Sequence, residues 1–155
     1  MNYWLIKSEA DCYSIDNLKS DKKTPWSGVR NFQARNFMRD HMKKGDLALF
    51  YHSSSTSKDI PNGVYGIAKV ISEAYPDPSA FDIKDEHYDP KSKKTEPTWI
   101  LVDFAFVEKF KNPITLAVIK NDPKLDGMMV RQKGSRLSIQ PVTEKHFKYI
   151  VTLAH

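Results

Sequence analysis

The fold of this chain is constrained most by extended segments that carry apolar side chains on both faces. The clearest is Thr98 to Phe110, in which both alternating sets of positions are mainly apolar. Successive side chains of a strand point to opposite faces, so such a strand is covered on both sides. Further strands are predicted at Asn2–Lys7, Leu47–Tyr51 and Val64–Glu73, and Gly66 inside the last one indicates a bulge or a close backbone approach. Because the strands occur in runs without regular alternation with helices, the sequence predicts an α+β fold with a twisted, barrel-like sheet.

Helices are predicted to flank these strands. The four predicted helices begin at Ser14, Asn31, Thr115 and Thr143. The side-chain oxygens of the first two residues can cap their helices by accepting hydrogen bonds from first-turn amides. The second helix extends to Met42 and has one apolar face. That face consists of Ala34, Phe37, Met38 and Met42. Short strands are predicted at Met128–Arg131 and Leu137–Pro141.

Length and composition are those of one globular domain, which we place at residues 1–155. The chain carries 24 lysines and arginines against 19 aspartates and glutamates, a net charge of +5. A modest positive charge favours polyanionic partners, with nucleic acid first among them. No apolar run approaches the roughly 18 residues that a membrane span needs, so no membrane association is expected. The single cysteine, Cys12, excludes an internal disulfide and fits a reducing compartment.

A tryptophan on a short turn precedes the second helix. Pro25, Ser27 and Gly28 are turn-forming residues, so they constrain the loop that carries Trp26. A constrained indole followed by the basic residues of the helix suits a flat, anionic ligand such as a nucleotide. The alternative, from the residues alone, is that Trp26 packs in the core and that the neighbouring arginines form a solvated face.

The sequence offers no metal or cofactor site. Its five histidines match no ligand spacing, and one cysteine cannot form a zinc knuckle. Neither a phosphate-binding loop nor a dinucleotide fingerprint is present, so no cofactor is expected. The acidic residues Asp85, Glu86 and Asp89 are interpreted as a solvated face. A nucleophilic Cys12 paired with a histidine would need an oxyanion signature, which the chain lacks.

Several long motifs follow one another along nearly the whole chain. They are Tyr3–Glu9, Trp26–Phe37, Gly45–Leu47, Phe50–Ser53, Gly66–Ala68, Tyr75–Pro78 and Arg136–Val142. Together these motifs resemble the EVE domain family. One departure is Ala10, where the family usually has a proline after Lys-Ser-Glu, and this change should loosen the turn more than the site. The long basic tail of the animal members is also missing, so the chain resembles the bare domain found in bacteria.

The resemblance implies a PUA-like fold, a small barrel flanked by helices and related in shape to YTH domains. EVE domains are understood as readers of modified bases in DNA or RNA, with modified cytosine as the favoured ligand. The implied partner is therefore nucleic acid that carries a modified base, bound by a monomer without catalysis. The bare domain also implies a cytoplasmic location, or a nuclear one in a eukaryote.

The resemblance further suggests a pocket in which a flipped base is stacked and its edge is hydrogen-bonded. The candidate ligand-binding residues are Lys7, Ser8, Glu9, Trp26, Val29, Arg30, Asn31, Tyr51, His52, Ser53, Arg136, Leu137 and Ser138. Trp26 and Tyr51 are the stacking candidates, and stacking on an aromatic side chain contributes about 1–3 kcal/mol per base. The base edge could be bonded by Ser8, Glu9, Asn31 and Ser53. Phosphate could be neutralised by Lys7, Arg30, Arg35 and Arg136.

Other functions stay open at this point. An RNA-binding module for modified nucleotides would use the same pocket. A small hydrolase acting on a modified nucleoside would need a general base or a nucleophile, for which only Glu9, His52 and Cys12 are available. A basic structural module with an empty cleft is the least specific interpretation.

Overall fold

A mixed six-stranded sheet is the framework of the computed structural model, which describes residues 1–53, 59–95, 97–132 and 137–155. In chain order the strands of these residues are β1 (Tyr3–Glu9), β2 (Lys23–Pro25), β3 (Leu47–Ser53), β4 (Gly63–Val70), β5 (Tyr75–Pro76), β6 (Ile100–Leu101), β7 (Asp103–Thr115) and β8 (Ile139–Val142). The sheet has the order β2-β7-β4-β3-β1-β8, and β5 pairs with β6 separately. Within the sheet β1 and β3 run parallel, whereas the other neighbouring strands are antiparallel. The predicted α+β fold with a twisted, barrel-like sheet is confirmed.

Short helices flank this sheet. They are α1 (Ile15–Asp21), α2 (Phe32–Asn36), α3 (Leu116–Asn121) and α4 (Glu144–Ala154), with 3₁₀ turns at Pro78–Phe81, Pro123–Leu125 and Met129–Arg131. Both predicted N-caps are confirmed, since Ser14 accepts from the Asn17 amide and Asn31 accepts from the Ala34 amide. A capping side chain of this kind typically contributes about 1 kcal/mol.

Helix α2 does not end as an ordinary α-helix. It continues into a π-helical turn, Phe37–His41, in which the Met42 amide donates to the Phe37 carbonyl five residues earlier. The sequence pattern did not predict this turn. The predicted apolar face is nevertheless confirmed, because Ala34, Met38 and Met42 are all buried.

Strands β1 and β3 are neighbouring interior strands of the sheet and are buried on both faces. Trp4 and Ile6 belong to the apolar cluster that contains Phe50, whereas Leu5 belongs to a second cluster that contains Phe110. Each large side chain that is fully buried contributes about 1.5–3 kcal/mol, so β1 stabilises two cores at once. Because β1 and β3 are parallel, their carboxyl ends lie at the same edge of the sheet.

Gly66 lies where the pairing of β4 with β7 changes register. A Cβ atom at this position would lie 2.3 Å from the Glu108 carbonyl oxygen and 2.8 Å from the side chain of Ile15. The close approach predicted from this glycine is therefore confirmed, and a larger residue would separate β4 from β7 and from α1.

The predicted strand Thr98–Phe110 is interrupted. The chain leaves β6 at Leu101 and begins β7 at Asp103. Between them, the carbonyl of Val102 accepts a hydrogen bond from the backbone amide of Trp26, at 2.9 Å. Periodicity could not reveal the break, because the apolar pattern continues through it.

The predicted strand Met128–Arg131 is a 3₁₀ turn instead. Within this turn the backbone amide of Arg131 donates a hydrogen bond to the carbonyl of Met128, three residues earlier, at 3.1 Å. Gly127, immediately before this turn, has a φ of 92°. A left-handed residue at this point turns the chain out of an extended path.

His52, a predicted ligand residue, is part of the framework. It is only 3% exposed, its ring stacks on Tyr65, and its Nε2 accepts a hydrogen bond from the Ile15 amide at the start of α1. Its Nδ1 has no partner among the described residues. Burial lowers the pKa of His52 from 6.5 to about 4, although Asp16 opposes the shift slightly. We therefore withdraw His52 as a ligand contact, since a neutral, buried imidazole anchors α1.

The pKa of His52 predicts how stability depends on pH. Between about pH 4 and pH 6.5 the unfolded chain binds the His52 proton more tightly than the folded one, so stability is full above this window and falls with falling pH. From pH 7.5 to pH 4.5 we expect His52 to remove about 2–3 kcal/mol from the free energy of unfolding. Urea unfolding of the wild type and of His52→Gln at both pH values measures this loss of free energy. Glutamine can accept a hydrogen bond from the Ile15 amide but does not titrate. An equal pH dependence in both proteins would contradict this assignment.

Candidate functional site

A cleft of about 720 Å³ opens where the end of β1, the loop after β2 and the chain segment after Pro78–Phe81 come together. Its lining residues are Lys7, Ser8, Glu9, Cys12, Tyr13, Thr24, Pro25, Trp26, Ser27, Gly28, Val29, Arg30, Glu86, His87 and Ser138. This volume lies in the range of small-molecule sites, about 300–1,000 Å³. The cleft is thus large enough for a nucleobase.

About half of the predicted ligand-binding residues line this cleft. They are Lys7, Ser8, Glu9, Trp26, Val29, Arg30 and Ser138. Arg136 lies outside the described residues. Three others do not line the cleft: Ser53 at the end of β3, Leu137, which is buried, and Asn31, whose side-chain oxygen caps α2.

Tyr51 does not reach the cleft either, and its proposed role as a stacking platform is withdrawn. It is 3% exposed and belongs to the apolar cluster of Leu5, on the other side of the sheet from Phe50 and Trp26. Neighbouring residues of a strand point to opposite faces, and here Phe50 packs in the cluster of Trp26 whereas Tyr51 packs in the opposite one. Burial raises the pKa of Tyr51 to about 12, and Lys7 Nζ lies 5.8 Å from the centre of its ring.

Trp26 both packs against the core and lines the cleft, which are the two alternatives that the sequence left open. Its indole makes edge contacts with Phe50 and Phe104, whose ring centres lie 5.7 and 5.4 Å away. It is nevertheless only partly buried and lines the cleft. The backbone amide of Trp26 is fixed by the Val102 carbonyl. The indole is therefore a wall of the cleft that is held by the core behind it.

A buried carboxylate holds the loop that carries Trp26. Asp77 is 1% exposed, and its Oδ2 accepts from the Gly28 amide at 2.8 Å and from Arg30 Nη1 at 3.1 Å. Its Oδ1 accepts from the amide and the hydroxyl of Ser79. Burial alone would raise the pKa of Asp77, but the hydrogen bonds from Ser79, Gly28 and Arg30 lower it below its ordinary value. The Trp26 loop and the 77–99 segment are thereby joined through one ionised side chain.

Arg30 is occupied by intramolecular hydrogen bonds. Besides Asp77, its N–H groups donate to the carbonyls of Val29 and His87 and to the hydroxyl of Ser79. All five N–H donors of a guanidinium are accounted for by these contacts. The predicted phosphate contact of Arg30 is therefore replaced by a structural role, which is to hold the 77–99 segment against the cleft.

Arg35 is also largely engaged. Its Nη1 donates to the Thr98 carbonyl at 2.9 Å, and its Nε and Nη2 both donate to Asn36. The guanidinium lies over the exposed ring of Phe32, which in turn stacks on Trp99. Two of its N–H groups have no acceptor within the described part of the chain, so a phosphate contact of Arg35 stays a prediction.

The sequence analysis missed the contribution of the 77–99 segment to the cleft. His87 lies directly against Gly28, which has a φ of 80°, and a Cβ at Gly28 would lie 2.7 Å from His87 Cε1. Asp89, interpreted as part of a solvated face, accepts a 2.6 Å hydrogen bond from Trp99 Nε1. A local signal existed at Asp77, since aspartate before Pro-Ser is a typical helix cap, but its partners 47 and 49 residues away could not be deduced.

A model of the EVE domain matches residues 2–153 of the chain. The chain belongs to the EVE domain family. Among curated relatives, thymocyte nuclear protein 1 of Gallus gallus is 42% identical over 169 residues, which cover 97% of this chain and 68% of the relative.

Solved structures of similar proteins share the fold of this EVE domain. A protein from Pseudomonas syringae is 42% identical, with a TM-score of 0.91 over 99% of both chains. Human THYN1 protein in complex with DNA containing 5-methylcytosine is 39% identical, with a TM-score of 0.89 over 100% of this chain and 98% of that chain. A YTH domain from Zygosaccharomyces rouxii is 14% identical with a TM-score of 0.53, over 99% of this chain and 86% of that chain. The expected PUA-like fold, related in shape to YTH domains, is confirmed.

Two findings concern other kinds of site. In the described part of the chain no helix has the length and apolarity needed to cross a membrane. Residues 1–53, 59–95, 97–132 and 137–155 also contain no group of three or more histidine, cysteine, aspartate or glutamate side chains that could hold a metal ion.

The contact between Gly28 and His87 can be tested against a matched glycine. Gly45 also has a positive φ, of 95°, but a Cβ there would meet nothing within 4 Å. We expect Gly45→Ala to cost about 1–2 kcal/mol of unfolding free energy for its left-handed backbone alone. Gly28→Ala should cost about 1–3 kcal/mol more, because it also displaces His87.

Urea unfolding of the two alanine variants, and of Gly28→Ala combined with His87→Ala, measures this difference. The double variant should recover the excess cost of Gly28→Ala. Equal costs at Gly28 and Gly45 would show that the 77–99 segment does not press on the Trp26 loop.

Proposed function

We propose that this EVE domain reads modified bases, with a modified cytosine in DNA as its main ligand, and that the cleft takes the base after it has been flipped out of its strand. The observation that carries this proposal is the human THYN1 complex with 5-methylcytosine-containing DNA, since that protein is 39% identical over the whole length of this chain. The role proposed for the cleft is binding, without a catalytic step.

The construction of the cleft supports this function. A base reader needs a flat apolar surface for stacking and polar groups for the base edge. Trp26 offers the surface, and its loop is already fixed by the Val102 carbonyl and the Asp77 carboxylate. Little further ordering is then required on binding, which favours affinity.

The charges around the cleft suit a neutral base better than a phosphate group. Among the described residues, the charged ones that line the cleft are Lys7, Glu9, Arg30 and Glu86, and Arg30 is paired with Asp77. Two carboxylates therefore face one ammonium group and one neutralised guanidinium. In this proposal the phosphates stay outside the cleft, where the net charge of +5 attracts the strand at long range.

Two of the three groups that an enzyme could use, His52 and Cys12, are poorly suited to catalysis, whereas the third, Glu9, lines the cleft and is covered by the turnover experiment. His52 is buried, and its Nε2 is engaged by the Ile15 amide. Cys12 is hydrogen-bonded to Glu9, which raises the pKa of the thiol, and only the thiolate is a strong nucleophile. These features support a reader, and the incubation of modified nucleosides with the protein, followed by mass spectrometry, tests for turnover.

We expect Trp26→Ala to weaken the binding of a 5-methylcytosine oligonucleotide by about 1–3 kcal/mol, because the stacking wall is lost. The loss should be larger for 5-methylcytosine than for cytosine, since the methyl group adds apolar contact. Titration calorimetry with DNA and RNA strands that differ in one base measures both effects and identifies the preferred nucleic acid. The control is Phe32→Ala, which removes an aromatic ring that is 59% exposed but does not line the cleft.

Thermal unfolding of the same variants separates binding from stability. Truncation of a fully buried tryptophan typically costs about 3–5 kcal/mol, and the partly exposed Trp26 should cost less. Unchanged affinity together with a large loss of stability would place Trp26 in the core and remove the centre of the proposed site.

A further inference from the structure

Resting on the proposed function, we infer that Glu9 selects bases that carry an exocyclic amino group, so that the cleft distinguishes 5-methylcytosine from thymine. These two bases share the ring and the 5-methyl group. They differ at position 4, where cytosine has an amino donor and thymine a carbonyl acceptor, and at N3, which is an acceptor in cytosine and a donor in thymine.

Stacking cannot make this distinction. The face of Trp26 offers the same apolar contact to either methylated pyrimidine, because stacking tolerates every base. Hydroxyl groups such as that of Ser138 can both donate and accept, so they adapt to either base edge. Selection for the amino group requires a fixed group that only accepts hydrogen bonds, and a carboxylate beside cytosine N4 is such a group.

Glu9 is the carboxylate of the cleft that is both anchored and largely unoccupied. Its backbone carbonyl accepts from the amides of Cys12 and Tyr13, at 2.9 and 2.8 Å. Its carboxylate receives one weak hydrogen bond, from the Cys12 thiol at 3.5 Å to Oε2. Within the described residues, Oε1 has no donor. One oxygen is thus left for a ligand, on a side chain whose backbone is fixed at the wall of the cleft.

The other acidic groups near the cleft do not meet these conditions. Both oxygens of Asp77 are buried and filled by Gly28, Arg30 and Ser79. The side chain of Glu86 is 86% exposed and lies on the 77–99 segment, 3.9 Å from His87 Nδ1. Glu9, by contrast, ends a strand that pairs with β3 in register as far as Ser53. Groups on strands are held more precisely than groups on loops, which specificity requires.

Arg30 supports the same selection because its N–H donors are not available to a ligand. A guanidinium beside the ligand would donate to the carbonyl of thymine and favour that base. Here the donors of Arg30 are used by Asp77, Ser79, Val29 and His87. The cleft therefore presents an acceptor from Glu9 without a competing donor from Arg30.

The test uses DNA strands that are identical except for one central base, placed opposite an abasic site so that pairing does not differ. The central base is 5-methylcytosine, cytosine, thymine or uracil. We expect the wild type to bind the 5-methylcytosine strand about 5- to 150-fold more tightly than the thymine strand, the range of one good base-edge contact. Glu9→Gln should bring this ratio close to one, because an amide can donate to thymine as well as accept from cytosine. Glu73→Gln, a control at an exposed glutamate that does not line the cleft, should leave the ratio unchanged.

The preference for 5-methylcytosine over cytosine should persist in Glu9→Gln, since Trp26 reads the methyl group. Equal binding of 5-methylcytosine and thymine by the wild type, or an unchanged ratio in Glu9→Gln, would overturn the role of Glu9 and leave the reader function standing. A wild type that binds none of the four strands would overturn both proposals. Glu9 is exposed and makes few contacts, and thermal unfolding checks that the variant is folded.

Discussion

The cleft depends on one buried carboxylate, that of Asp77. An ionised group in a protein interior is costly unless each of its lone pairs is satisfied, and here two backbone amides, a hydroxyl and a guanidinium satisfy them. These donors come from Gly28, Ser79 and Arg30, which lie in two segments far apart in the chain. Loss of any one of them would leave a buried charge short of partners. The Trp26 loop and the 77–99 segment are therefore fixed together before any ligand arrives.

The neighbouring strands β1 and β3 influence which side chains line the cleft. The parallel pairing of β1 and β3 brings their carboxyl ends to one edge, where Ser8 and Glu9 line the cleft. The alternation of side chains then sends Phe50 to the side of Trp26 and Tyr51 to the opposite core. Within β3, a single step along the strand thus separates Phe50, which packs behind Trp26, from Tyr51, which does not line the cleft.

Stability and the proposed binding function depend on shared residues in this cleft. Trp26 closes the cleft and also packs on Phe50 and Phe104, so its removal affects both properties. His52 stabilises the first turn of α1, close to Tyr13, which lines the cleft, but His52 itself does not line it. Arg30, a basic residue in a basic protein, uses its N–H groups in intramolecular hydrogen bonds that hold the 77–99 segment. Mutational data on this domain are therefore interpretable only when affinity and stability are measured on the same variant.

The sequence by itself determined the features that depend on neighbours along the chain. The main strands, the caps Ser14 and Asn31 and the turn that carries Trp26 were predicted correctly, because each is decided within a few residues. Gly66 signalled a close approach, but its partners, Glu108 and Ile15, are distant in the chain. The family motifs likewise identified the EVE domain. Only the tertiary structure decided which groups bind Asp77, that His52 is buried, and that the N–H groups of Arg30 are hydrogen-bonded within the protein. These depend on contacts between segments separated by 37 to 57 residues, and no local pattern encodes which distant group fills a hydrogen bond or covers a side chain.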